Sequence, residues 1–233
     1  MKRVTGCVAW LFMVMTFSAH AFLMGGTRVV LKAKEGVASI AVISGPQDGV
    51  SLVKARVLQD RNKGNIAPEF IVSPPVSRLE KGGRNNLRIQ LLRSDGLAGD
   101  RESVFYLDIA AIPATNPLDS NQSGSSASVI IGTGANVKLF YRPSALSDPT
   151  PDTWSALQFR RMPGGVEVSN PTPYYVSFAS LRSGGMLLRT YGVLMIAPFG
   201  KQIYGLPSGA SKQVEWSVFD DLGSRVSGST PIL

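Results

Sequence analysis

Residues 128–143 read SVIIGTGANVKLFYRP, and their alternation decides the fold. Val129, Ile131, Thr133, Ala135, Val137, Leu139 and Tyr141 fall on one face at period two, whereas Lys138 and Arg142 fall on the other. A mean strand has roughly five to six residues. A strand this long is expected to carry its apolar row past the end of its own core and offer it to a partner.

The same period recurs along the chain, in Val50–Leu58 (VSLVKARVL), Asn86–Leu92 (NLRIQLL), Ser103–Ala111 (SVFYLDIAA) and Gln213–Asp220 (QVEWSVFD). Arg88 and Gln90 alternate with Leu87, Ile89 and Leu91, as a half-buried strand requires. Turn signals separate these runs: Gly45-Pro46, Asp48-Gly49, Pro74-Pro75, Gly82-Gly83, Pro163-Gly164-Gly165 and Gly184-Gly185. Outside the leader no segment holds a helical period. The expectation is an all-β chain of two antiparallel sandwiches of roughly 100 residues each. Ser144–Asp152 (SALSDPTPD) reads as a linker, with a new strand series starting at Trp154. The predicted boundaries are 22–143 and 144–233, and the Ser-, Asn- and Gly-rich run 113–128 reads as a long connection inside the first domain.

Residues 1–21 have the pattern of a secretory leader: Lys2 and Arg3, an apolar run from Val8 to Phe17, then Ala19-His20-Ala21. The apolar run is shorter than the roughly 20 residues of a spanning helix, so stable membrane insertion after cleavage is not expected. Cleavage would remove Cys7 and His20, the chain's only cysteine and only histidine. The remainder then has no disulfide, no thiol nucleophile, no Ser-His-Asp arrangement and no zinc site of the usual ligand types. Catalysis, metals and cofactors are therefore not expected. The formal charge falls from +8 to +6 once Lys2 and Arg3 leave. No Lys/Arg run exceeds two residues, and an exported protein seldom meets nucleic acid, so nucleic acid is excluded as a partner.

Six segments together resemble the periplasmic, PapD-like chaperones of the chaperone-usher pilus pathway: Gly26-Thr27-Arg28-Val29-Val30, Phe70–Ile89, Asp100–Leu107, Val137–Pro143 (VKLFYRP), Asn170–Tyr175 (NPTPYY) and Met195–Gly200 (MIAPFG). They stand in the family's order across nearly the whole chain. The resemblance implies two immunoglobulin-like β-sandwiches in an L or boomerang arrangement. It implies a periplasmic location, pilus (fimbrial) subunits as clients and an outer-membrane usher as the receiver. The family lends part of its last first-domain strand to a subunit that lacks one, which is donor-strand complementation. Carried onto this chain, Arg28 and Lys138 match the basic pair that holds the subunit's C-terminal carboxylate. Val129, Ile131 and Thr133 match the donor positions, with Gly132 and Gly134 loosening the strand around Thr133. Glu102, Arg142 and Asp221 match an interdomain charge network, in which Asp220 is a possible substitute for its neighbour.

Two other functions compete. Ser51-Leu52-Val53-Lys54 has the Ser-x-x-Lys spacing of penicillin-interactive enzymes, but the Ser-Asp-Asn and Lys-Thr-Gly elements are missing, and an alternating strand with a solvent-facing lysine accounts for it. An exported adhesin or carbohydrate-binding protein is the alternative, with exposed Trp154 and Trp216 stacking on sugars.

Overall fold

In the computed structural model, residues 22–62, 64–114 and 132–233 are described. The leader and the positions of Val129 and Ile131 lie outside them. The first domain contains β1 (Leu23–Met24), β2 (Arg28–Lys32), β3 (Val37–Ile43), β4 (Ser51–Leu58), β5 (Phe70–Ser73), β6 (Val76–Leu79), β7 (Arg84–Leu91), β8 (Ser103–Pro113) and β9 (Thr133–Arg142). They form two packed sheets, ordered β1-β3-β7-β5 and β2-β9-β8-β4-β6. Alternation explains the packing. Val53, Ala55 and Val57 of β4 are buried while Leu52, Lys54 and Arg56 face out, and Phe105, Leu107, Ile109 and Ala111 of β8 do the same beside them. Val137, Leu139 and Tyr141 of β9 join this core, whose centre includes a T-shaped Phe70–Phe105 contact at 4.8 Å.

The second domain comprises α1 (Pro151–Ser155), β10 (Gln158–Met162), β11 (Gly165–Ser169), β12 (Val176–Ser183), β13 (Met186–Leu187), β14 (Met195–Ile196), β15 (Lys201–Tyr204), β16 (Gln213–Phe219) and β17 (Arg225–Pro231). A β10-β11-β15 sheet faces a β13-β12-β16-β17 sheet, with β14 also paired to β12. The β10–β11 hairpin turns through Pro163-Gly164, where Gly164 takes φ 81°, a conformation glycine adopts without strain. On β17, Gly228 lies opposite Trp216. A side chain there would press into the indole ring.

Two expectations are corrected here. The stretch before Gln158 is not the start of a strand: Pro151–Ser155 is one helical turn. Proline's fixed φ suits the first helical position, and the Thr150 N–H donates to Thr153 Oγ1 (2.9 Å). Trp154 then points into the core. It and Trp216 are each 4% exposed, with Trp154 edge-on to Tyr174 at 6.2 Å and Trp216 Nε1–H donating to Thr230 Oγ1 (2.9 Å). Neither ring has a free face for a sugar, which removes the observation that motivated the carbohydrate-binding alternative.

Candidate functional site

The site is built on the outer face of the sheet containing β9. The chain enters through β1, paired to β3 in one sheet, then crosses at Gly25-Gly26 to become β2 in the other. Strand β2 runs parallel to β9 in the register Arg28↔Lys138, Val30↔Phe140, Lys32↔Arg142. Strand β8 covers the other edge of β9 from Thr133 to Tyr141. As β2 begins only at Arg28, Thr133–Val137 has no strand on that edge among the described residues. Open backbone of this kind is a template for an added strand.

Arg28 and Lys138 flank the point where covered edge becomes open edge. No carboxylate bonds to either among the described residues. The Arg28 Nη1–H donates instead to the Phe219 carbonyl across the domain boundary (3.2 Å). Its guanidinium lies 5.2 Å from the Phe219 ring centroid and 5.7 Å from that of Phe140. Burial holds Arg28 below its ordinary value, against the opposing pull of Asp221, Asp220 and Glu102. Lys138 is also lowered, first by burial and then by the cations Arg28 and Arg61. Two partly desolvated like charges with no anion between them are poised to receive one. Charge-assisted hydrogen bonds contribute about 1.5–3 kcal/mol each.

Thr133 stands at the start of β9, exposed and paired with Ala111. The other two donor candidates, Val129 and Ile131, lie outside the described residues. Lys54, from the Ser-x-x-Lys match, is solvent-exposed.

Behind the pair, Arg142 is 2% exposed and makes a fork of contacts across the domain boundary. Its Nε and Nη2 donate to Glu102 Oε1 (3.0 and 2.8 Å), and Nη1 and Nη2 donate to Asp221 (2.7 and 2.8 Å). Glu102 Oε2 accepts from the Tyr175 N–H (2.8 Å), which ties the residue preceding β8 of the first domain to the segment before β12. Burial raises Glu102 despite Arg142 and that N–H. For Arg142, burial disfavours the charge, yet Asp221 and Glu102 outweigh it and the net direction is up. Asp220 is not a substitute: its carboxylate accepts from the Leu222 and Ser224 N–H groups (3.0 and 2.7 Å) and closes the β16–β17 turn.

Asp148, Phe140 and Phe219 are the residues that sequence reasoning missed. Asp148, inside the supposed linker, accepts from Arg142 Nη1 (2.8 Å) and Lys32 Nζ (2.6 Å). Its only sequence signal is one of two acids, with Asp152, in a polar stretch. Phe140 packs against Tyr175 at 5.7 Å, and Arg101 lies 4.9 Å from the Phe199 ring, so the domain contact extends on both sides of Arg142.

The chain is thus a two-domain β protein whose β9 edge is open over Thr133–Val137 among the described residues, with a cation pair at the end of that edge and a charge-bonded domain junction behind it. Residues 21–147 match the family described as "Pili and flagellar-assembly chaperone, PapD N-terminal domain", and residues 152–230 match "Pili assembly chaperone PapD, C-terminal domain". The chain belongs to this family of pilus-assembly chaperones, proteins with two immunoglobulin-like sandwiches in a boomerang arrangement. It is 32% identical over 222 residues to the chaperone protein HifB of Haemophilus influenzae, covering 91% of this chain and 88% of HifB. Among solved structures it is similar to the Salmonella enterica SafA pilin in complex with the SafB chaperone (TM-score 0.78, 28% identity, 93% of this chain and 98% of that chain). It is also similar to the Escherichia coli chaperone DraB (TM-score 0.77, 29% identity, 91% and 99%).

Proposed function

We propose that this protein works in the periplasm, where it captures pilus subunits by lending them β9 and delivers them to an outer-membrane usher. The observation that carries this reading is the position of the cation pair at the end of an open edge. A client strand on Thr133–Val137, parallel to β9, would run in line with β2 and end where β2 begins. Its terminal carboxylate would meet Arg28 and Lys138. Backbone pairing then provides affinity and alternating side chains the fit. Val129, Ile131 and Thr133 are the proposed groove-facing donors, and full burial of Val129 or Ile131 would contribute about 1.5–3 kcal/mol. The complex of a pilin with the SafB chaperone among the similar structures supports a pilus subunit as the client. Arg142, Glu102 and Asp221 hold the domain angle on this reading, and the leader directs export.

Co-expression with a pilus subunit from the same source tests it. A soluble one-to-one complex is expected with the wild-type chain, and its loss with Arg28→Ala or Lys138→Ala while the chaperone itself stays folded. Undiminished complex formation by both variants would refute the anchoring role.

A further inference from the structure

Like charges on adjacent strands repel, and Arg28 faces Lys138 directly across the ladder. A flexible arginine in that position would ordinarily swing toward solvent or toward Asp221. It does neither. Its Nη1 is held by the Phe219 carbonyl at 3.2 Å, and its guanidinium is near the rings of both Phe140 and Phe219. Its Nε is buried without a partner among the described residues, so the guanidinium keeps unused donor capacity. Phe219 ends β16, in the second domain, two residues before Asp221, the group bonded to Arg142. The turn that follows also lies against Thr27, the residue before β2, since a Cβ on Gly223 would come within 2.9 Å of Thr27 Oγ1.

We propose that Phe219 is a positioning residue for the carboxylate site, so that the site is shared between the two domains and is complete only when the second is docked. Phe219 touches Arg28 and not the client anion. Its ring and carbonyl keep the guanidinium beside Lys138 against their mutual repulsion, leaving the remaining donors for the incoming carboxylate. By linkage, client capture and domain docking strengthen each other. This inference rests on the anchoring role proposed for Arg28 and Lys138 and adds a contribution from the other domain.

The test uses the full chain and a synthetic N-acetylated pentapeptide of alternating valine and threonine, prepared as the free acid and as the C-terminal amide. Binding is followed by NMR on the arginine Nε–H resonances. Wild type is expected to prefer the free acid and to shift the Arg28 signal. Phe219→Leu, which keeps apolar bulk but removes the aromatic face, is expected to lower that preference about three- to tenfold, inside the span of a partly desolvated cation–π contact, with amide binding unchanged. Phe219→Tyr is expected to restore it, which separates positioning from a merely structural role. If wild type prefers the free acid and Phe219→Leu keeps that preference within twofold, the proposal is overturned while the anchoring reading stands. If wild type shows no preference, the anchoring reading fails and this inference with it.

Discussion

Removing the Glu102 carboxylate should loosen the whole domain junction. The Glu102 and Arg142 side chains are 4% and 2% exposed, so Glu102→Ala leaves a buried cation that has lost two of its hydrogen bonds. The Tyr175 N–H loses its acceptor as well. Breaking a buried ion pair from one side costs about 3–5 kcal/mol. Arg142 keeps Asp221 and Asp148, whose side chains are partly exposed, which places the loss near the lower end, about 3 kcal/mol. For a chain of this size that is a fall in Tm of about 6–12 °C. The assay exploits the placement of Trp154 and Trp216, both in the second domain. Tryptophan fluorescence therefore follows that domain, whereas far-UV circular dichroism follows both. In urea at pH 7 the two transitions should coincide for wild type and separate for Glu102→Ala. The double variant Glu102→Leu/Arg142→Met should lose less stability than Glu102→Ala alone, because no buried charge is stranded. A Glu102→Ala midpoint within about 1 kcal/mol of wild type, with the two transitions still coincident, would refute the reasoning.

Four further outcomes are expected. Lys138 is lowered by burial and by neighbouring cations, so the folded state favours its neutral form and its charge costs stability at neutral pH. Lys138→Met should raise Tm by about 1–2 °C after allowance for screening, while abolishing client capture in the co-expression assay. In the wild type, affinity for a free-acid peptide should be constant at neutral pH and fall as pH rises through the lowered Lys138 value. Lys138→Arg should extend the flat region, and an unchanged profile in that variant would exclude Lys138 as the titrating group. The hydrogen bond from Lys32, followed by that from Arg142, holds Asp148 below the usual carboxylate range. Its contribution is therefore present above about pH 4 and lost as pH falls through the lowered value. Asp148→Asn should cost up to about 1 kcal/mol at pH 7 and nothing at the acid end, read from urea midpoints across that range. Gly228→Ala should lower stability by about 1–3 kcal/mol by pushing a methyl group into the Trp216 ring, measured by thermal unfolding.

The strands were legible because alternation is a local property. Leu87 and Ile89 point inward and Arg88 and Gln90 outward, as the spacing requires. The charge network was reachable only through family resemblance, because Glu102, Arg142 and Asp221 are far apart in sequence and no local pattern joins them. Asp148 escaped for the opposite reason. It is six residues from Arg142, but its other partner, Lys32, is 116 residues away, and a Ser/Pro-rich stretch has no period to reveal a contact. The helix at Pro151–Ser155 is too short to display periodicity. Trp154 and Trp216 show that residue type alone does not set exposure: both rings fill the second core. Phe219 carried no signal because it acts through its carbonyl and its ring on a residue 191 positions away.

Strand β9 is covered by β2 over Lys138–Arg142 and, among the described residues, bare on that edge over Thr133–Val137, with the two cations at the join. On the reading proposed above, this geometry makes the cleft sensitive to where a client chain stops. An internal peptide group has no charge to offer the cations, so only a terminus can engage them. Removing or adding one residue would reverse every alternating side chain behind that terminus. A subunit shortened by one residue, or by any odd number, would thus present the wrong face to the donor row. The same contact that shelters a client would also read the register of its final strand, a form of selection that requires no nucleotide.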